Sequence, residues 1–284
     1  MSSAAGKPLT NVNHGPVRFP GQAQARGCRP AGCVSPSALV SSMNLASLRV
    51  ACSNCNLREL CLPVGLSDDD MNRVEQIVAT RRKLRRGETL FRSGDRFESL
   101  YAVRLGFLKS TLTSSDGHEQ VTGFHMAGEL VGLDGISADS HTCDATALED
   151  TEVCVIPYER VEEISASLPV LQNHLRKVMS REIVREHSVM LLLGSMRAEE
   201  RLAAFLLNLS QRFEARGYSR SEFVLRMTRA EIGSFLGLKL ETVSRCLSRF
   251  AQEHLIDVDQ KHVRILDVQR LRAVMGSAGS QHDE

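Results

Sequence analysis

Three cysteines crowd the stretch ACSNCNLRELCL: Cys52, Cys55 and Cys61, in the order C-x2-C-x5-C. A structural disulfide takes thiols in pairs and an oxidising compartment, and no apolar core with a small-residue cleavage site precedes these three. A metal centre is the better expectation. Zinc and iron–sulfur clusters both ask for about four thiolate or imidazole ligands, so one must come from elsewhere in the chain. Cys143, Cys154, Cys246 and several histidines are the candidates. Cys246 lies inside a helix described below and reads as a small core residue. Spacing separates neither Cys143 from Cys154 nor zinc from iron–sulfur. Cys28 and Cys33, in CRPAGC, belong to a segment without periodicity, which fixes no ligand geometry, and are read as incidental.

A second constellation suits nucleic acid. In MTRAEIGSFLGLKLETVSRCLSRF, residues 227–250, Thr228 and Glu231 have the spacing of a capping box. Ile232, Phe235 and Leu236 make an apolar face and Gly237 punctuates a turn. A second helix, from about Lys239 to Phe250, completes a helix-turn-helix. Val243, Leu247 and Phe250 point inwards, while Glu241, Ser244, Arg245 and Ser248 recur at steps of three and four on the outer side. An arginine exposed early on such a helix matches O6 and N7 of guanine, a glutamate accepts from cytosine N4, and a serine serves either edge. Glu241, Ser244 and Arg245 are therefore the candidate base readers, against the plainer alternative of a solvated helical face. Beyond them LIDVD and HVRIL, around Gln260-Lys261, read as a two-stranded wing. The charge permits DNA: between Arg197 and Arg272 there are fourteen Lys/Arg and ten Asp/Glu, although the whole chain carries only +1.

The elements that must hold these residues follow from the pattern of the chain. Its 284 residues leave room for about two domains, and 42% hydrophobic with 24% charged residues is the balance of a globular protein. The longest apolar run, Val189 to Leu193, falls well short of the roughly 18 residues of a membrane span. No membrane is expected, and the cytoplasm is the expected compartment. Residues 1–45, rich in Ser, Ala, Gly and Pro, read as a disordered extension, and Met43, nine residues ahead of Cys52, offers a second translation start. Residues 46–165 carry the cysteine segment and a sensor. From Arg81 to Pro157, short alternating runs broken by glycine, with Asp116-Gly117 between two of them, predict hairpins in a small antiparallel barrel or roll without a catalytic constellation. Residues 166–194 predict a long helix in which Leu171, Leu175, Val178, Met179, Ile183, Met190 and Leu193 recur at helical steps, interrupted by Glu186. That stripe runs about seven turns, long enough for a dimer seam, the alternative being a helix packed on its own domain. A DNA-binding unit over 195–273 and a tail over 274–284 complete an α+β chain that is not an enzyme.

In this order of cysteine cluster, glycine-rich roll, long helix and helix-turn-helix, with ERLAAFLLNLSQRF and LETVSRCLSRF, the chain resembles a known family. Over about residues 50 to 273 it is similar to the oxygen-sensing branch of the CRP/FNR transcription factors, named for the cyclic-AMP receptor and for fumarate and nitrate reduction. The resemblance implies that Cys52, Cys55 and Cys61 hold a [4Fe–4S] cluster together with Cys154, which precedes Ile156-Pro157 as the family's fourth cysteine does. Cys143 has no matching position and is expected to be a packed or surface thiol. In the family, oxygen converts the cluster to [2Fe–2S], the homodimer loosens and DNA binding is lost. The implied partners are double-stranded DNA with a palindrome close to TTGAT and its inverted repeat, a second copy of the chain, and RNA polymerase. Polymerase contact is implied for the loop Thr113 to His118, where His118 replaces the usual acidic residue and puts activation through that loop in question. At the seam the family carries an acidic residue where this chain has Glu186 and an apolar contact where it has Ile183.

Three rival readings go with this one. A regulator holding zinc is separable by colour and by iron content. Relatives that bind cyclic AMP hold its phosphate with an Arg-Ser pair following a Gly-Glu; Gly128-Glu129 is here, but His141-Thr142 stands at the Arg-Ser place, without the fixed cation. An iron–sulfur electron carrier or enzyme needs a substrate pocket signature that the sequence lacks, and the cysteine spacing differs from the C-x3-C-x2-C of radical enzymes.

Overall fold

The structure, a computed structural model, describes Cys55, Cys61 and residues 67–276. The 1–45 extension with Cys28 and Cys33, the ligand candidate Cys52, and the chain after residue 276 lie outside the described residues.

Alternating runs pair as their period demands. One antiparallel sheet has the order β1 (Thr80–Leu84), β8 (Thr151–Pro157), β3 (Ser99–Leu105), β6 (Leu130–Val131). A second has the order β2 (Thr89–Phe91), β7 (Asp144–Ala147), β4 (Phe107–Thr113), β5 (Glu119–Met126). The inward residues of both sheets, including Leu84, Val103, Leu108, Ala145 and Val153, share one buried core, so the expected roll is present. Asp116-Gly117 lies in the turn between β4 and β5, with Thr113 opposite Glu119 and the Ser114 N–H donating to the His118 carbonyl at 3.0 Å.

Helices close one end of the roll. α1 (Asp68–Glu75), capped by the Ser67 hydroxyl, and α2 (Tyr158–Ser167) pack with the start of α3 (Pro169–Ser195) through Val74, Ile77, Val161, Leu168 and Leu171. Pro169 at the first position of α3 removes an N–H that has no helical partner there anyway. At 27 residues α3 is about 40 Å long, matching the predicted long helix.

The C-terminal unit is a winged helix. α4 (Ala198–Glu214) packs Leu202 and Leu206 against α5 (Arg229–Leu236), α6 (Leu240–Gln252) and α7 (Val268–Gly276). Thr228 and Glu231 form the expected capping box on α5. Two glycines make the turn to α6. Gly237 is left-handed at φ 62°, the helix-ending conformation that favours glycine, and a Cβ on Gly233 would meet the Leu238 carbonyl oxygen at 2.5 Å. The wing has one strand more than expected: β10 (Ile256–Asp259) and β11 (His262–Ile265) form the hairpin, and β9 (Glu222–Val224) joins β11. Three residues with one buried side chain are too short for period two to reveal.

This unit sits on the outer face of the second sheet of the roll. Phe124 on β5 meets Phe205 and Phe235 with ring centroids 6.0 and 5.3 Å apart, Lys109 on β4 pairs with Glu231 at 2.9 Å, and Arg212 at the end of α4 pairs with Glu129 at 2.7 Å.

Candidate functional site

Strand β8 decides which way Cys154 faces. Alternation turns Val153 into the core and leaves Cys154 half-buried on the outer face, in register with Arg81 on β1 and Ala102 on β3. Cys55 lies near it. Burial pushes the Cys154 thiol above its ordinary value, Arg81 opposes the rise, and the Cys55 thiol adds to it. Cys61 meets α3 and the turn after α4: its carbonyl accepts a hydrogen bond from His174 Nε2 on α3 at 3.2 Å, and its thiol is close enough to Arg216 to act on that charge. Cys143 is different in kind. It is buried in the core of the roll with Sγ 3.6 Å from Asp134 Oδ2, and burial together with the Asp134 charge pushes its thiol up to about 12. A thiol so held supplies no thiolate near neutral pH. Cys246 is buried among the helices of the C-terminal unit, as expected of a core residue.

None of the five described cysteines is in a disulfide. Among the described residues no three His, Cys, Asp or Glu side chains are assembled as a metal site, and Cys52 is outside them. The donor chemistry nevertheless fits an iron–sulfur group. Cys55 and Cys154 are soft ligands brought together from distant parts of the chain, one of them on a rigid central strand.

The Gly128-Glu129 and His141-Thr142 positions are engaged by other residues of the chain. Glu129 accepts from Arg212 Nη2 at 2.7 Å and from Arg216 Nη2 at 2.6 Å. Burial works against its ionisation, but Arg212 and Arg216 outweigh that and hold its carboxyl below the usual carboxylate range. At the Arg-Ser place, the Thr142 N–H donates to Asp134 Oδ2 at 2.7 Å, while His141 is buried with its ring stacked on Phe91 at 3.6 Å. His141 and Thr142 do not supply the fixed guanidinium with which a phosphate is held. The ion pairs of Glu129 lie beyond sequence reasoning, since they join residues more than eighty apart without a periodic signal.

Helix α3 divides the predicted stripe into two faces. Leu171 is buried and Leu175 packs beside it, whereas Ile183 is 53% and Met190 69% exposed. Val184 and Leu191 are exposed with them. Together with His187 these four occupy positions i, i+1, i+4, i+7 and i+8, which is one side of a helix. Glu186 is exposed on the flank of that side, three residues after Ile183 and four before Met190. In the sequence Val184 and Leu191 each directly follow a residue of the predicted stripe and widen its band.

The reading helix presents the predicted set. Val243, Cys246, Leu247 and Phe250 of α6 are buried; Glu241 and Arg245 are exposed and Ser244 is partly so. Arg229 at the start of α5 donates to Ser244 Oγ at 3.3 Å, and Arg249 is tied to Glu199 at 2.6 Å and Glu253 at 2.8 Å. Among the described residues Arg245 makes one long 3.5 Å contact, to Thr242 Oγ1, so its guanidinium is less engaged than that of Arg249. Replacing Arg245 by alanine is expected to cost about 1–3 kcal/mol at the cognate site and to relax the preference for guanine there. Titration of the variant against sites mutated one base at a time checks this. Equal weakening on every sequence with a shallower salt dependence would make Arg245 a phosphate contact instead.

Known proteins share this arrangement. The Crp-like helix-turn-helix domain family matches residues 200–274, and the cyclic nucleotide-binding domain family matches residues 81–167. The transcriptional activator protein Anr of Pseudomonas protegens is 51% identical over 80% of this chain and 93% of its own length. The fumarate and nitrate reduction regulatory protein of Vibrio cholerae is 43% identical over 80% of this chain and 91% of its own. Among solved structures, FixK2 from Bradyrhizobium japonicum superposes with a TM-score of 0.64 at 31% identity, covering 69% of this chain and 96% of FixK2.

Proposed function

Because the chain belongs to the Crp/Fnr family of DNA-binding transcription regulators, we propose that it is an oxygen-responsive member that works as a homodimer in the cytoplasm. In this reading Cys52, Cys55, Cys61 and Cys154 hold a [4Fe–4S] cluster, and the dimer binds palindromic promoter DNA while the cluster is intact. The observation that carries it is the approach of Cys55 to the outward-facing Cys154, with Cys143 withdrawn into the core. When bound, the cluster would supply an oxygen-labile iron centre held by these four thiolates.

The chain's own residues supply the rest. Cys55 and Cys154 tie the N-terminal segment to β8, whose Ile156 packs in the same apolar cluster as Leu171 and Leu175 of α3. The exposed side of α3 with Ile183, Val184, Met190 and Leu191 buries itself against a second copy. Pairing then brings two α6 helices to the half-sites of a palindrome, where Glu241, Ser244 and Arg245 face the bases. RNA polymerase belongs to the same proposal, but the contact is not assigned to the β4–β5 turn, where His118 stands in place of the family's acidic residue.

The test is anaerobic purification followed by exposure to air. Bound iron and sulfide, a brown colour that bleaches in air, and parallel loss of DNA binding are expected. Zinc in place of iron, or DNA binding indifferent to air, overturns the oxygen-sensor reading and leaves the family assignment standing.

A further inference from the structure

Cys61 is joined to the long helix by a polar tie. His174, in the second turn of α3, lies with Nε2 3.2 Å from the Cys61 carbonyl oxygen. That oxygen can only accept, so Nε2 carries the proton and donates. The turn that bears His174 is not free to move: Leu171 before it and Leu175 after it pack in one cluster with Ile156, Tyr158 and Val161. Ile156 stands two residues after Cys154 on β8. Cys154, through the packing of Ile156, and Cys61, through a hydrogen bond, thus converge on the first two turns of α3. Nine residues on, about 13 Å along the same rigid rod, the exposed apolar side begins at Ile183.

We propose that His174 is a positioning residue that couples the seat of Cys61 to the pairing face of α3, holding the helix in the register that a second copy recognises when the ligand segment is in place. This rests on the oxygen-sensor reading. The tie does not ligate, and it acts on dimerisation through Cys61 alone. A side chain that keeps a donor at the Nε2 position should preserve the coupling, and one that keeps the bulk without the donor should not.

His174→Gln and His174→Leu are the two variants. Each is purified without oxygen beside the wild type, assayed for iron and sulfide, and sedimented with and without its cluster. Iron content is expected to be the same in all three. Cluster-loaded His174→Leu should dissociate about tenfold more readily than wild type, the worth of one such bond in each protomer, while His174→Gln stays within about twofold. All three should be equally monomeric once the cluster is lost. Wild-type dimerisation in the loaded Leu variant overturns the coupling, as does equal weakening in the Gln and Leu variants, or loss of iron from the Leu variant. A wild type without iron overturns the oxygen-sensor reading and this one with it, so the two failures are distinct. If His174→Leu does not fold, amide exchange in the wild type decides: protection over residues 171–178 rises when the cluster is loaded, and unchanged protection sinks the proposal.

Discussion

Serine at Cys154 is expected to strip the anaerobically purified protein of iron, whereas serine at Cys143 leaves iron at the wild-type level. An alkoxide is a far poorer ligand than a thiolate for iron in a sulfide cluster, and a cluster of four irons missing one of four protein ligands does not persist. The same loss is expected for serine at Cys52, Cys55 or Cys61, and no loss for Cys28 or Cys33. Two cysteines, eleven positions apart, differ because of where their strands point them. Cys154 sits on the outer side of the central strand β8 with Cys55 near it. Cys143 is enclosed by the roll, and both burial and the Asp134 carboxylate beside it oppose ionisation. A ligand role for Cys143 would require opening that core. The measurement is iron and sulfide per chain with the absorption spectrum, followed by DNA binding, which should fall to background in Cys154→Ser. Iron retained there and lost in Cys143→Ser would reverse the assignment.

Part of this architecture was legible in the residues because it obeys short-range rules. Thr228 and Glu231 cap α5, Gly237 takes the left-handed conformation at its end, and the run after it buries Val243, Leu247 and Phe250 as a period of 3.6 requires. The hairpin at Asp116-Gly117 follows from period two and a glycine at φ 83°. Other features have no local signature. Spacing does not separate Cys154 from Cys143; what separates them is the face of a strand and the Asp134 carboxylate, both set by tertiary structure. The bond from His174 to Cys61 and the clasp of Glu129 by Arg212 and Arg216 span 83 to 113 residues of chain. In α3 the sequence stripe merged two environments. A helix that packs its first turns on its own domain and leaves its later turns exposed has a slowly rotating apolar face, and only burial separates Leu171 from Ile183.

On the oxygen-sensor reading, the Glu186→Ala variant is expected to dimerise and bind DNA in air, and the wild type is expected not to. In the proposed dimer, the two-fold axis along the exposed side of α3 brings Glu186 of one protomer towards its copy, because Glu186 flanks Ile183 and Met190 at helical neighbour spacing. Two carboxylates roughly 7 Å apart at an effective dielectric near 20 repel by about 2.4 kcal/mol, close to fiftyfold in a dimerisation constant. The apolar side pulls the other way through Ile183, Val184, Met190 and Leu191. A balance between these two terms leaves the pairing equilibrium within reach of the ligand segment, which acts on the first turns of the same helix. Removing the repulsion shifts the balance without any cluster. Removing attraction shifts it back, so Ile183→Ala, which exposes less apolar area to be buried, should weaken pairing and DNA binding even without oxygen. Sedimentation of each variant with and without its cluster reads both effects, and high salt should narrow the gap between Glu186→Ala and wild type, since a screened repulsion is the cause. An aerobic Glu186→Ala protein as monomeric as wild type would sink the proposal and leave Glu186 an ordinary solvated residue beside the seam.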